Sequence, residues 1–264
     1  TWLGTENPGG VSVDDQIPRA VKQAVDSGAQ VINLSIGSSK TTWPESWDSA
    51  FQYAQDHDVV VVASAGNRGS GVTQVGAPST IPGVVSVGGI DRSGRASWDS
   101  SSQGISIAVA APSEDLIGAM PNNQYGLWSG TSGSAPMVSG VVALMRQKFP
   151  DESASQIIQR LISTAKDQGA PGRDPEYGFG AVDPAAALTR EEDVGGVHEN
   201  PLGSVEAWAK IHRRAVPTDE PSQPPEAEHA VGEKIDPVAA PQPQPTSEVK
   251  LLLPVILLVA VAAW

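Results

Sequence analysis

Gly130-Thr131-Ser132-Gly133-Ser134-Ala135-Pro136 is the stretch on which the reading of this chain turns. It joins a turn of small residues to the apolar run MVSGVVALM at 137–145, which reads as a helix buried on all sides. One reading of the turn is a simple cap, with the Thr131 or Ser132 hydroxyl accepting from a free N–H of the first helical turn. The chemical reading makes Ser132 a nucleophile. At a helix N-terminus its hydroxyl sits in a positive field, and unpaired backbone N–H groups are available to a developing oxyanion. Gly130 and Gly133 then keep side chains away from an approaching carbonyl. Pro136 suits a first helical turn, where no N–H is required.

Working outward, the same chain alternates helix and strand. Asp14 and Asp15 offer caps to a helix that carries Ile17, Ala20, Val21, Ala24 and Val25 on one face and stops at Gly28. Residues 31–35 (VINLS) form a short apolar strand. A helix over 46–56 buries Trp47, Ala50, Phe51 and Ala54. Residues 59–64 (VVVVAS) are apolar on both faces, which predicts a central strand of a parallel sheet. Residues 84–88 and 107–110 are further strands. The helix opened by Ser132 runs to about residue 149, and Ser153 with Gln156 makes a capping box for a helix burying Ile157, Ile158, Leu161 and Ile162. Crossover spacing of this kind specifies an α/β domain with a mostly parallel sheet flanked by helices.

The domain is expected to occupy residues 1–189. Residues 190–250 are rich in Pro, Glu and Ala and read as a solvated linker; a short helix over 205–211 has nothing to pack on. Residues 251–264 (LLLPVILLVAVAAW) are apolar to the end and read as a transmembrane helix cut short of the roughly 20 residues that span a bilayer. The net charge of −13 argues against nucleic acid as a partner. With no cysteine among 264 residues, disulfides, thiol catalysis and thiolate metal sites are excluded. The chain starts at Thr1 with no signal-peptide pattern, as in a processed product or a fragment.

Three loops follow strand ends or open the buried helix, where open α/β sheets place their sites: Ser35-Ile36-Gly37, Ser64-Ala65-Gly66-Asn67, and the Ser132 turn. Here the chain resembles the subtilisin-like serine proteases. Gly130, Thr131, Ser132 and Pro136 match the family's nucleophile motif, with Ser134 where Ala is usual. SAGN at 64–67, APSTIPGVVSVGGID at 77–91 and YGFGAVDPAAAL at 177–188 resemble further family stretches, in family order. The resemblance implies a subtilisin-like fold and a serine endopeptidase acting on a polypeptide substrate without a cofactor. Ser132 would be the nucleophile and Asn67 an oxyanion donor. Ser35, Ile36, Gly37, Ser64, Ala65 and Gly66 would border the cleft and pair with an extended peptide. A protease domain, a Pro-rich linker and a C-terminal membrane helix together resemble the mycosins, membrane-bound proteases associated with type VII secretion. That places the protease domain outside the cytoplasm, with a secretion complex as a possible partner.

The family's Asp-Ser/Thr-Gly and His-Gly-Thr motifs, expected before VINLS, do not stand there in working form. Asp26-Ser27-Gly28 has the letters of the first but closes a helix, and none of the four histidines precedes Gly-Thr. The residues ahead of the first helix are too few for both motifs. The N-terminal part of the domain is therefore expected to be absent, and this chain alone is expected to be inactive. No dense Asp/Asn loop for calcium appears, and no metal is assigned. Two other readings stay open here: a non-catalytic relative that binds peptides or supports a secretion complex, and a serine esterase of another fold. The esterase would want Gly-x-Ser-x-Gly, whereas 129–133 reads Ser-Gly-Thr-Ser-Gly.

Overall fold

The structure is a computed structural model that describes residues 10–213. Four strands, β1 (Val31–Leu34), β2 (Val60–Ser64), β3 (Val85–Ile90) and β4 (Ile107–Pro112), lie side by side in chain order, every pair parallel. Parallel neighbours require crossovers, and α2 (Glu45–Asp56) supplies the one that joins β1 to β2, while α1 (Val13–Asp26) precedes β1. The long helix α3 (Thr131–Lys148) lies across the opposite face, backed by α4 (Ala154–Ser163) and α5 (Pro184–Thr189).

Strand β2 shows why its sequence is apolar throughout. Successive side chains point to opposite faces, so Val60 and Val62 enter the α3 side of the core while Val61 and Ala63 meet α1 and α2. The expected central strand is thus found. The capping box is also present: the Ser153 side chain accepts from the Gln156 N–H, and Gln156 Oε1 accepts from the Ser153 N–H at 2.8 Å. The cap of α1 differs from expectation. Ser12 caps it, accepting from the Asp15 N–H at 3.1 Å, while Asp15 receives the Ser12 hydroxyl.

Helix α3 is not buried on all sides. Met137 and Leu144 are exposed, because α3 covers the sheet with one face and no described residue covers the other. Strand β1 is the edge of the sheet and pairs only with β2 among the described residues. A hairpin absent from the sequence reading, β5 (Leu116–Met120) and β6 (Gln124–Trp128), precedes α3. Asn122 and Asn123 both take positive φ at its tip, a conformation that asparagine tolerates better than most residues.

The boundary at 189 also moves. Residues 190–213, expected to be linker, return across the domain and end in α6 (Val205–His212). Gly83 and Asn200 tie this strap to the loop before β3, through Gly83 N–H to Leu202 C=O at 3.0 Å and Asn200 Nδ2 to Gly83 C=O at 3.1 Å. The first N–H groups of α6 donate to Gln55 and Gln52 of α2 at 3.2 and 2.8 Å, so α2 caps it. Val205 is buried, the Trp208 ring packs tilted against Trp43 with centroids 4.4 Å apart, and Arg213 pairs with Asp48 at 2.9 Å. The rest of the expected linker and the apolar run 251–264 lie outside the described residues.

One outcome follows from this packing. Val205→Asp puts a charge into the apolar cluster against α2 and should release the strap. In the full chain, proteolysis between residues 190 and 204 should accelerate and the melting temperature should fall. Wild-type protein cut there as readily as the variant would show that the strap is not held.

Candidate active site

Three segments meet at the N-terminus of α3. Gly130 is the N-cap with φ 144°, a backbone state that favours glycine, and it supplies no side-chain cap. The cap comes instead from outside the helix. Asn67, at the end of the loop after β2, accepts on Oδ1 from the Thr131 N–H at 2.9 Å and from the Thr131 hydroxyl at 3.0 Å. Thr131 is fully buried, and its Oγ1 also receives the Gly66 N–H at 3.1 Å. With Oδ1 committed to Thr131, the Asn67 amide has one orientation, and its Nδ2 donor remains unpaired among the described residues.

Ser132 follows at the second helical position, half-buried. Neither its Oγ nor its backbone N–H makes a hydrogen bond among the described residues. A free hydroxyl, a free backbone donor and an oriented side-chain amide therefore share one helix N-terminus, where the dipole favours negative charge.

Pro136 is the sixth residue of α3, not part of its first turn. Its missing N–H leaves the carbonyl four residues back, that of Ser132, without its helical partner. Ser35 fills the gap: its hydroxyl donates to the Ser132 carbonyl at 2.9 Å. The expected cleft residue Ser35 thus also fixes the backbone that carries Ser132.

The glycines of the motif serve packing more than substrate access. A Cβ on Gly133 would lie 2.3 Å from Leu116 and 2.6 Å from Trp128, which cover α3 from the hairpin. A Cβ on Gly130 would lie 3.0 Å from Asn67 Nδ2. Ser134, the departure from the family pattern, is buried but satisfied, donating to the Ala111 and Pro112 carbonyls of β4 at 3.2 and 2.9 Å.

The two expected substrate strips both reach this point but differ. Ser64 C=O accepts from Ser79, Ala65 N–H donates to Val87 C=O, and Gly66 C=O accepts from the Ser102 N–H. Most backbone groups of that strip are therefore already engaged. Ile36 C=O receives the Ser64 hydroxyl at 3.3 Å, and Gly37 is exposed with both backbone groups free among the described residues. Sequence reading did not find Ser79 or Trp128, because long-range packing alone brings them to the site.

No described histidine reaches Ser132. His57 ends α2 with Nδ1 on the Tyr53 carbonyl at 2.8 Å, and His212 packs against Trp208 in α6. No group of three or more His, Asp, Glu or Cys side chains among the described residues is arranged to hold a metal.

An unpaired serine hydroxyl at a helix N-terminus, with two unpaired N–H donors beside it, has the geometry of a serine acyl-transfer site. The chain belongs to the Subtilase family, whose profile matches residues 4–180. Among curated relatives, fervidolysin of Fervidobacterium pennivorans is 36% identical over 197 residues, which cover 66% of this chain and 28% of that protein. Mycosin-5 of Mycobacterium tuberculosis (strain ATCC 25618 / H37Rv) is 34% identical over 230 residues, 71% of this chain and 39% of that protein. Among solved structures, the serine protease MycP1, an essential component of the type VII (ESX-1) secretion system, superimposes with a TM-score of 0.59 at 30% identity. That match covers 72% of this chain and 61% of MycP1. The chain thus spans less than two thirds of the length of these relatives.

Proposed function

We propose that this chain carries the nucleophile and oxyanion site of a serine endopeptidase of mycosin type. The observation that supports it is the locked Asn67 amide beside the free Ser132 hydroxyl. Ser132 Oγ attacks a peptide carbonyl and loses its proton to a base, and the carbonyl oxygen takes the negative charge. Asn67 Nδ2 and the Ser132 N–H stabilise that charge. The tetrahedral intermediate then expels the amine with a proton, leaving an acyl-Ser132 that water hydrolyses. Among the described residues no histidine contacts Ser132. The cleft residues are Ser35, Ile36, Gly37, Ser64, Ala65 and Gly66. Gly37 has the free backbone groups that an extended peptide needs.

The finer reading is a protease domain outside the cytoplasm, anchored through residues 251–264, with a type VII secretion complex as its setting. Its support is the apolar run at 251–264 and the likeness to mycosins. Among the described residues no helix is long and apolar enough to cross a membrane, and 251–264 lie outside them.

A fluorophosphonate probe tests the central reading. The full-length protein, meaning this chain joined to the N-terminal part of the domain that the family resemblance calls for, should be labelled at Ser132, and the 264-residue chain only slowly, because an unassisted serine hydroxyl is a weak nucleophile. No labelling of the full-length protein would sink the endopeptidase reading. Fast labelling of the 264-residue chain would show that a base within it serves Ser132.

A further inference from the structure

Asn33 is the one polar residue of β1, and it stands on the face that meets α3. Side chains alternate along the strand, so Ile32 and Leu34 enter the α1–α2 side of the core while Val31 packs on the α3 side. Asn33 shares the Val31 face, on the strand that is the sheet edge among the described residues. Asparagine is disfavoured in strands, and a residue that breaks a local preference points to a task elsewhere.

Its amide joins two hydroxyls, one in the loop after β1 and one on α3. Asn33 Nδ2 donates to Ser35 Oγ at 2.9 Å, and Asn33 Oδ1 accepts from the Ser139 hydroxyl at 3.1 Å. Ser35 in turn donates to the Ser132 carbonyl at 2.9 Å. The proton directions follow from that end. A carbonyl only accepts, so the single Ser35 proton points to Ser132, and Ser35 can only accept from Asn33. The amide must therefore turn Nδ2 to Ser35 and Oδ1 to Ser139, whose hydroxyl is shared with the Ala135 carbonyl at 2.9 Å. The bonds run one way, from Ser139 through Asn33 and Ser35 to Ser132.

The end of this path is the carbonyl that Pro136 leaves without a helical partner. A proline ring also crowds the carbonyl four residues back, so the helix itself does not hold the Ser132–Gly133 peptide. A serine hydroxyl alone can rotate away. With the Asn33 amide on its oxygen, the Ser35 hydroxyl is held in one direction, and each bond in the row polarises the next.

We propose that Asn33 is a positioning residue for Ser132: acting through Ser35, it holds the Ser132–Gly133 peptide and with it the place of the Ser132 hydroxyl. The inference rests on the endopeptidase reading and adds to it a residue of β1 that acts only through another side chain.

The test measures kcat and KM for casein hydrolysis by the full-length protein and its variants, well below the melting temperature of each. Asn33→Leu removes donor and acceptor at similar size. It should lower kcat about tenfold and leave KM within about twofold, because a misplaced nucleophile costs rate more than binding. Asn33→Asp keeps the acceptor toward Ser139, loses the donor, and draws the Ser35 proton to itself. It should lower kcat at least as much, and it carries the test if the Leu variant does not fold. Ser35→Ala should show a similar loss. The double variant Asn33→Leu with Ser35→Ala should be no slower than the slower single one, because both residues lie on one path. Wild-type kcat in the Asn33 variants, a rise in KM alone, or losses that multiply in the double variant would overturn the proposal while the endopeptidase reading stands. Wild-type protein that neither cleaves casein nor takes fluorophosphonate at Ser132 would sink that reading, and this inference with it.

Discussion

Ser132→Ala should abolish casein hydrolysis by the full-length protein while leaving its melting temperature nearly unchanged. The two halves of that expectation have separate causes. The Ser132 hydroxyl makes no hydrogen bond among the described residues, so its removal strands no partner in the fold. In the proposed reaction it is the atom that forms the acyl bond, and nothing nearby replaces it. Ser35 and Ser134 are already committed to the Ser132 carbonyl and to β4. A loss of about 2 × 10⁶ in kcat is the scale, a figure obtained on a subtilisin and so from a member of the same family. Initial rates measured over long incubations would check it. Activity within tenfold of wild type would show that Ser132 is not the nucleophile.

Asn67 carries the second large effect, and the structure divides it in two. As an oxyanion donor, Asn67 should contribute about 10²–10³ in kcat with little change in KM, because the oxyanion forms only near the transition state; this magnitude too comes from a subtilisin. As the external cap of α3, its Oδ1 should contribute about 1 kcal/mol of stability through Thr131. Asn67→Ala removes both. Asn67→Asp keeps the acceptor, places a negative charge where the helix dipole favours it, and removes the donor. The Asp variant should therefore melt close to wild type yet lose at least as much kcat as the Ala variant, since its carboxylate repels the oxyanion. An Asp variant with near-wild-type kcat would remove Asn67 from the oxyanion site. Loss of stability in the Ala variant alone, with kcat unchanged in both, would leave it a cap alone.

This division of Asn67 shows where sequence reading stops. Periodicity and length placed β2 at the centre of the sheet, and the 153–156 capping box opened α4, because both depend on contacts within a few residues or on uniform burial. Short motifs marked Ser132, Asn67 and the two cleft strips because the chemistry of a nucleophile turn restricts which residues can stand there. The same locality misled elsewhere. Pro136 looked like a first-turn proline, since nothing nearby shows that the helix starts five residues earlier. Gly130 and Gly133 looked like openings for substrate, since the side chains that press on them come from Asn67, Leu116 and Trp128.

The sequence by itself determined the alternation of helix and strand, and its short motifs carry the family resemblance through which Ser132 and Asn67 are proposed as nucleophile and oxyanion donor. The first is a property of period and spacing along one chain, the second of which residues stand in those motifs. Tertiary structure alone decided that Asn67 is turned by Thr131, that Ser35 completes the carbonyl stranded by Pro136, and that Asn33 of β1 meets Ser139 of α3. It also decided that residues 190–213 pack as a strap. That stretch looked like linker because its apolar residues are sparse; Val205 and Trp208 suffice because α2 presents Gln52, Gln55 and Asp48 to receive the rest. Pairings across such distances depend on which surfaces the sheet brings face to face, and no local pattern encodes them.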